Sequence, residues 1–361
     1  MADERPGAGA SASGAVLEQE IRFCEVDGAR VAYATVGTGP PLLLPALWIS
    51  HLELEWGFAE FRAFVGALAL DRTVVRYDRP GTGLSDRGDA TPELTVEAEV
   101  RTIEAIADEL GLGELSLLGI SWGGCPASAF AARHSERVRS LILVGAYAHG
   151  EAIAPAPLRA AMVETVRAHW GAGSRLLTDV WLPGADAHMR ERFARLQRAA
   201  ATPEVAAAML EAVYEADVRE LLPNVHAPAL VMHRRDDRAM PFAQGRELAA
   251  RLPDARLVAL DGDLHPPWLG DSAAVVGAVN AFLDVHDPRR ATPSRDESAP
   301  LSSREAEVLR LVAEGLSDAE IARRLIVSPH TVHRHVANIR TKLGQSSRAA
   351  AVAYAARRGL I

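Results

Sequence analysis

The chain has 361 residues, 48% of them hydrophobic, and a formal net charge of −8. That length suits one large core and one small one, and no apolar run reaches the ~18 residues that a membrane span needs. Two cysteines, Cys24 and Cys125, exclude a disulfide framework and a cysteine-based metal site, and they fit a reducing compartment. Basic charge carried by arginine, with Lys342 the only lysine, and abundant alanine fit a GC-rich bacterial genome and hence a bacterial cytoplasm.

Residues 1–16 are small and polar, without the basic end and apolar run of a signal peptide, and are expected to be a disordered leader. Residues 19–26 and 30–36, parted by Asp27-Gly28, read as a β-hairpin. The short apolar run 41–44 reads as a buried strand, 55–70 as a helix, and 73–77 as a strand that runs into the turn-rich Asp78-Arg-Pro-Gly-Thr-Gly-Leu-Ser-Asp86. A helix over 94–110 stops at Gly111, a strand over 115–119 leads straight into Ser121, and a helix over 122–134 precedes a strand at 138–144. This alternation predicts an α/β fold with a parallel sheet covered on both faces.

Between about 150 and 224 the alternation stops, and the pattern becomes helical, as for an insertion seated on the sheet. Trp170, Leu177, Val180, Trp181 and Leu182 are candidates to line a pocket beneath it, with helix-core packing as the alternative. Strands and helices resume at 229–233, 242–252, 255–260 and 272–285. Residues 287–300 are rich in Pro, Ser and charge and read as a linker between a 17–286 domain and a 301–361 domain.

The last 61 residues hold ten Lys and Arg against five Asp and Glu, a charge of +5, while the preceding 300 carry −13. A basic module on an acidic body fits a nucleic-acid partner for the module alone. Ser317 and Glu320 form a capping-box signature for a short helix, 318–325. Ser328 and Pro329 then start a second helix, with Val332, Val336, Ile339 and Leu343 along one face and a basic opposite face. Two short helices around a tight turn read as a helix-turn-helix. Matches from Leu301-Ser-x-Arg-Glu305 through Glu314-Gly-Leu-Ser317, Ser328-Pro329, Thr331-Val332 and Lys342-Leu-Gly344 to Gly359-Leu-Ile361 make the segment resemble the LuxR/GerE-type DNA-binding domain along its whole length. The resemblance implies a recognition helix in the major groove of double-stranded DNA. His333 and Arg334 would reach base edges with Asn338 a turn on, while Thr331, His335 and Lys342 would hold phosphate or pack. It also implies a homodimer through the alanine-rich last helix, unless those alanines pack within their own domain.

Gly119-Ile-Ser-Trp-Gly123 fits the G-x-S-x-G elbow in its required context of strand, sharp turn and helix. A serine nucleophile needs a base and a carboxylate to orient it. His265 follows the last strand, and Asp236 and Asp237 follow the strand before it; Asp237, four residues before Pro241, is the better acid. In chain order Ser121, Asp237, His265, and in Tyr77-Asp78-x-x-Gly81-x-Gly83-Leu84-Ser85, residues 17–286 resemble the α/β-hydrolases. The resemblance implies an oxyanion hole from the backbone N–H groups of Trp122 and of Leu47. The family usually has His-Gly in the Leu47 loop; here Pro45-Ala-Leu-Trp48 stands instead, and Trp48 and Trp122 are expected to narrow the pocket. No glycine loop for phosphate and no metal or cofactor pattern is present in the sequence, so no cofactor is expected. The two modules together suggest a transcription regulator whose hydrolase-like domain binds a small signal, with or without hydrolysing it. The alternative is an active ester or lactone hydrolase with an accessory DNA-binding tail.

Overall fold

The computed structural model describes residues 18–88, 92–286 and 303–325, and beyond these only positions 332, 335, 336, 339, 348, 352 and 355. Two compact units result, one within 1–289 and one within 290–361.

The larger unit is built on eight strands: β1 (Glu20–Val26), β2 (Ala29–Val36), β3 (Pro41–Leu44), β4 (Thr73–Tyr77), β5 (Leu115–Ile120), β6 (Val138–Val144), β7 (Ala229–Arg234) and β8 (Ala255–Leu260). They lie in the order β1-β2-β4-β3-β5-β6-β7-β8. Only β2 runs against its neighbours, so the sheet is parallel from β4 to β8. Side chains alternate across the central strands: Leu43, Leu117, Leu141 and Leu143 feed one core, and Leu42, Leu44, Leu118 and Ile142 feed the other. The two-residue period thus buries both faces of the sheet, as layers of helix on each side require.

The helices of this unit are α1 (Leu52–Trp56), α2 (Ala59–Leu68), α3 (Val96–Glu109), α4 (Gly124–Arg133), α5 (Ala156–Ala168), α6 (Trp170–Trp181), α7 (Ala187–Ala200), α8 (Pro203–Glu215), α9 (Phe242–Arg251) and α10 (Ser272–His286). The single helix expected over 55–70 is two. His51 caps the first, its Nδ1 accepting from the Leu54 N–H at 3.4 Å, and extended backbone at Phe58 breaks the run after Gly57. Helices α5 to α8 form the expected insertion. Asp78 explains the turn-rich segment after β4: its carboxylate accepts from the N–H groups of Leu52 (3.0 Å) and Leu84 (2.9 Å), and its carbonyl accepts from the Ser85 hydroxyl.

In the smaller unit, α11 (Ser303–Ala313) and α12 (Asp318–Leu325) pack through Val308, Leu309, Val312 and Ile321. The capping box is formed: Glu320 accepts from the Ser317 N–H at 2.8 Å and from its hydroxyl at 2.6 Å. Those bonds hold the Glu320 carboxyl below its usual range. Val332 and Ile339 of the expected apolar stripe are helical and buried, and Val336 packs beside them. Ala355 and Val352 join the same core, and Arg348 donates to Asp318 and to the Leu316 carbonyl.

Candidate functional site

Strand β5 ends at Ile120, and Ser121 takes a φ of 54°, one of two non-glycine residues with positive φ among the described residues. Such a backbone disfavours any side chain. It is held because the turn is compressed: a Cβ on Gly119 would lie 2.6 Å from the Cα of Gly124. The serine thus stands at the C-terminal edge of the parallel strands, where α4 begins.

Asp237 and His265 come together, and Asp236 stays on the surface. The Asp237 carboxylate lies 2.8 Å from His265 Nδ1 and accepts from the N–H groups of Ala239 (2.9 Å) and Met240 (3.1 Å). Burial pushes the Asp237 carboxyl up; the charge and hydrogen bond of His265, with the Met240 N–H, outweigh it and leave the carboxyl below its usual range. His265 Nε2 is buried and has no hydrogen-bond partner among the described residues. Ser121 and His265 line one cavity of about 50 Å³, together with Leu47, Trp48, Trp181 and Gln197. Ser121 also lines a second cavity of about 250 Å³ beneath the helical insertion, walled by Met162, Leu177, Val180, Leu210 and Val213. Trp48 and Trp181 border both, ring edge to ring face at 5.3 Å.

Of the insertion residues expected at a pocket, Leu177, Val180 and Trp181 line the larger cavity. Trp170 instead donates to the Ala201 carbonyl at 3.0 Å, and Leu182 is fully buried in packing. Trp48 narrows the space at Ser121 as expected. Trp122 does not: its ring turns into the main core, 1% exposed, 5.7 Å from the Arg79 guanidinium.

Three positioning features escape the sequence. Arg79, fully buried, donates to the carbonyls of Ala46 (3.0 Å), Leu47 (2.6 Å) and Trp48 (3.1 Å) and pairs with Glu99 at 2.9 Å. Because C=O and N–H point oppositely in a trans peptide, this turns the Leu47 N–H away from Arg79. Arg234 donates to the carbonyls of Leu264, Pro266 and Leu269, so it grips the loop on both sides of His265, and the His265 N–H donates to the Trp181 carbonyl at 2.9 Å. Gly145, φ 57°, lies where a Cβ would stand 3.2 Å from His265 Cε1 and 3.6 Å from Asp237. A strand end followed by glycine was the only sequence signal for it.

Cys125 is buried beside the elbow, its thiol 3.5 Å from the Tyr147 carbonyl and pushed up by burial to about 12, which leaves it inert at neutral pH. No group of three or more His, Cys, Asp or Glu is placed to hold a metal ion among the described residues, and no described helix is long and apolar enough to cross a membrane. In the smaller unit His335 is helical and half-buried; Thr331, His333, Arg334, Asn338 and Lys342 lie outside the described residues.

Comparison with known proteins agrees with both units. Residues 54–168 match the alpha/beta hydrolase fold family, 200–293 match the TAP-like protein family, and 299–355 match the luxR family of bacterial regulatory proteins. The chain belongs to the α/β-hydrolase family and carries a LuxR-type helix-turn-helix DNA-binding module at its C-terminal end. It is 30% identical over 224 residues to a pimeloyl-[acyl-carrier protein] methyl ester esterase of Neisseria meningitidis, covering 58% of this chain and 68% of the relative. A putative HTH-type transcriptional regulator of Mycobacterium bovis is 39% identical over 99 residues, 27% of this chain and 11% of that protein. The crystal structure of the enol-lactonase from Burkholderia xenovorans superposes with a TM-score of 0.60 at 28% identity, covering 73% of this chain and 99% of the lactonase.

Proposed function

We propose that this chain is a sequence-specific transcription regulator of the bacterial cytoplasm whose hydrolase-fold domain binds and hydrolyses a small ester signal. One observation carries the reading: a buried Asp237–His265 pair, whose Nε2 has no partner among the described residues, shares a cavity with Ser121, in a chain that also holds a DNA-binding module. Ser121 Oγ adds to the ester carbonyl carbon as its proton passes to His265 Nε2. The bond to the alcohol oxygen then breaks, and that oxygen takes the proton and leaves. Water adds to the acyl–Ser121 ester, giving its proton to Nε2, and the acid departs as the proton returns to Ser121. Asp237 orients the ring, and the N–H groups of Leu47 and Trp122 receive the carbonyl oxygen as it becomes negative. In the DNA-binding module His333, Arg334 and Asn338 read bases, Thr331, His335 and Lys342 meet phosphate or pack, and two chains join through the last helix on a two-fold site.

The hydrolase relatives favour a second reading, an ester hydrolase with an accessory DNA-binding tail. Labelling the full chain with a fluorophosphonate, wild type against Ser121→Ala, tests the nucleophile; gel-shift selection on random duplex DNA, with and without labelling, tests the regulator. Labelling that vanishes in the variant and changes DNA affinity supports regulation by the site. Labelling with unchanged DNA affinity favours the second reading. A folded protein that takes no label refutes hydrolysis.

A further inference from the structure

The two cavities at Ser121 differ in kind. The larger, about 250 Å³, is apolar apart from Ser121 itself, Tyr214 and the exposed Arg238, and His265 takes no part in it. The smaller, about 50 Å³, contains His265. Three of its lining residues each hold a buried polar atom without a hydrogen-bond partner among the described residues: His265 Nε2, Trp48 Nε1 and Gln197 Oε1. Gln197 is 2% exposed, and its side-chain N–H groups are taken by the Ser174 carbonyl (3.1 Å) and Thr178 Oγ1 (2.8 Å). That fixes which way the amide faces and leaves its carbonyl oxygen as an acceptor with nothing to accept from. A buried acceptor of this kind calls for a physical account, and this one belongs to a residue that lines the chamber with His265.

The chemistry of ester cleavage assigns the chambers. The leaving alcohol oxygen takes its proton from His265 Nε2, so the alcohol must lie in the chamber that contains His265. The acyl group then runs the other way from Ser121, into the larger cavity. The small chamber has about a fifth of the volume of the large one, so it suits a short alcohol and leaves the large one for a longer acyl chain. Trp48 and Trp181 line both chambers, their rings 5.3 Å apart.

Resting on the hydrolase reading above, we infer that the substrate is an ester of an apolar acid with a short alcohol that carries a hydrogen-bond donor for Gln197.

The test compares decanoate esters of ethylene glycol, 1-propanol and benzyl alcohol, and the acetate of ethylene glycol, by chromatography of the released acid. The glycol and propyl groups have the same size, so their ratio isolates the hydrogen bond without any variant. We expect the 2-hydroxyethyl decanoate to exceed the propyl ester about tenfold in kcat/KM, because a buried acceptor left unmatched discriminates strongly. Benzyl decanoate and 2-hydroxyethyl acetate should both be slower than 2-hydroxyethyl decanoate. Gln197→Met should bring the glycol-to-propyl ratio near one. Fluorophosphonate labelling of the same preparation separates the two failures. Labelled protein that prefers the propyl or benzyl ester, or the acetate, overturns the chamber assignment and leaves the hydrolase reading standing. Protein that takes no label overturns both.

Discussion

Arg79→Met removes one buried cation and tests two consequences that separate cleanly. The guanidinium is 1% exposed; it faces the Glu99 carboxylate, three consecutive carbonyls of the loop after β3, and the Met209 sulfur of α8 at 2.8 Å. Methionine fills much of the volume and supplies no donor. Glu99 is then left buried with only the Tyr77 hydroxyl, 2.6 Å from its carboxylate. Removing one partner of a buried ion pair costs about 3–5 kcal/mol, most of it the stranded charge. Urea denaturation should show that loss, and Arg79→Met combined with Glu99→Gln should recover at least about half, because the amide still accepts from Tyr77 and carries no charge. The loop should not recover. Without a donor for the carbonyls of Ala46, Leu47 and Trp48, the Leu47 N–H, the oxyanion donor proposed above, loses what holds its peptide. Deleting a whole oxyanion donor slows catalysis by ~10²–10³, so a loosened one should slow fluorophosphonate labelling by about tenfold to a hundredfold in both variants. A folded double variant that labels at the wild-type rate would show that the loop keeps its shape unaided, and would refute the role given to Arg79. A single variant that loses less than ~1 kcal/mol would refute the ion-pair argument.

Asp237→Asn should slow labelling by ~10³–10⁴, as expected when the base loses its tautomer and orientation. The same variant tests the pKa: a carboxyl lowered on folding adds stability that is complete above its unfolded pKa of about 3.9 and is lost as pH falls through the lower folded value, so the wild-type advantage in denaturation midpoint should be full at neutral pH and shrink in strong acid. Gly145→Ala, with φ 57° and its Cβ against His265, should cost about 1–2 kcal/mol and slow labelling; Gly113→Ala, where a Cβ meets nothing within 4 Å, is the control and should do neither. On the selected DNA site, Arg334→Ala should relax sequence preference, whereas Lys342→Ala should weaken binding to all sequences alike and flatten its salt dependence; uniform weakening by Arg334→Ala would contradict base reading.

Much of the larger unit was legible because its signals are local. Strands β3, β4, β6 and β8 have their predicted bounds, since each is a short apolar run closed by a turn residue. The elbow is legible for the same reason: a strand, two tight glycines and a helix are contiguous in the chain. Asp237 was preferred to Asp236 for its distance to Pro241; in the structure Asp237 lies against His265 and Asp236 is in solvent. The helix over 55–70 was misread because Glu55 and Phe61 to Leu68 keep a helical period across a break that extended backbone at Phe58 imposes.

What the sequence hides is what distant side chains do to a loop. Arg79 sits in a polar turn and Arg234 at the end of β7 before one, where arginine normally marks a solvated face, and in the fold each donates to three backbone carbonyls. That answers the difficulty of the glycine-free Pro45-Ala-Leu-Trp48 loop. A loop that lacks a glycine has fewer backbone conformations to choose from, and it must be held in one of them from outside. The donor that holds it comes from the turn after β4, and the partner that makes a buried guanidinium tolerable comes from α3. Three stretches far apart in the chain must therefore meet before the Pro45-Ala-Leu-Trp48 loop is held in this shape, and no local pattern records that meeting.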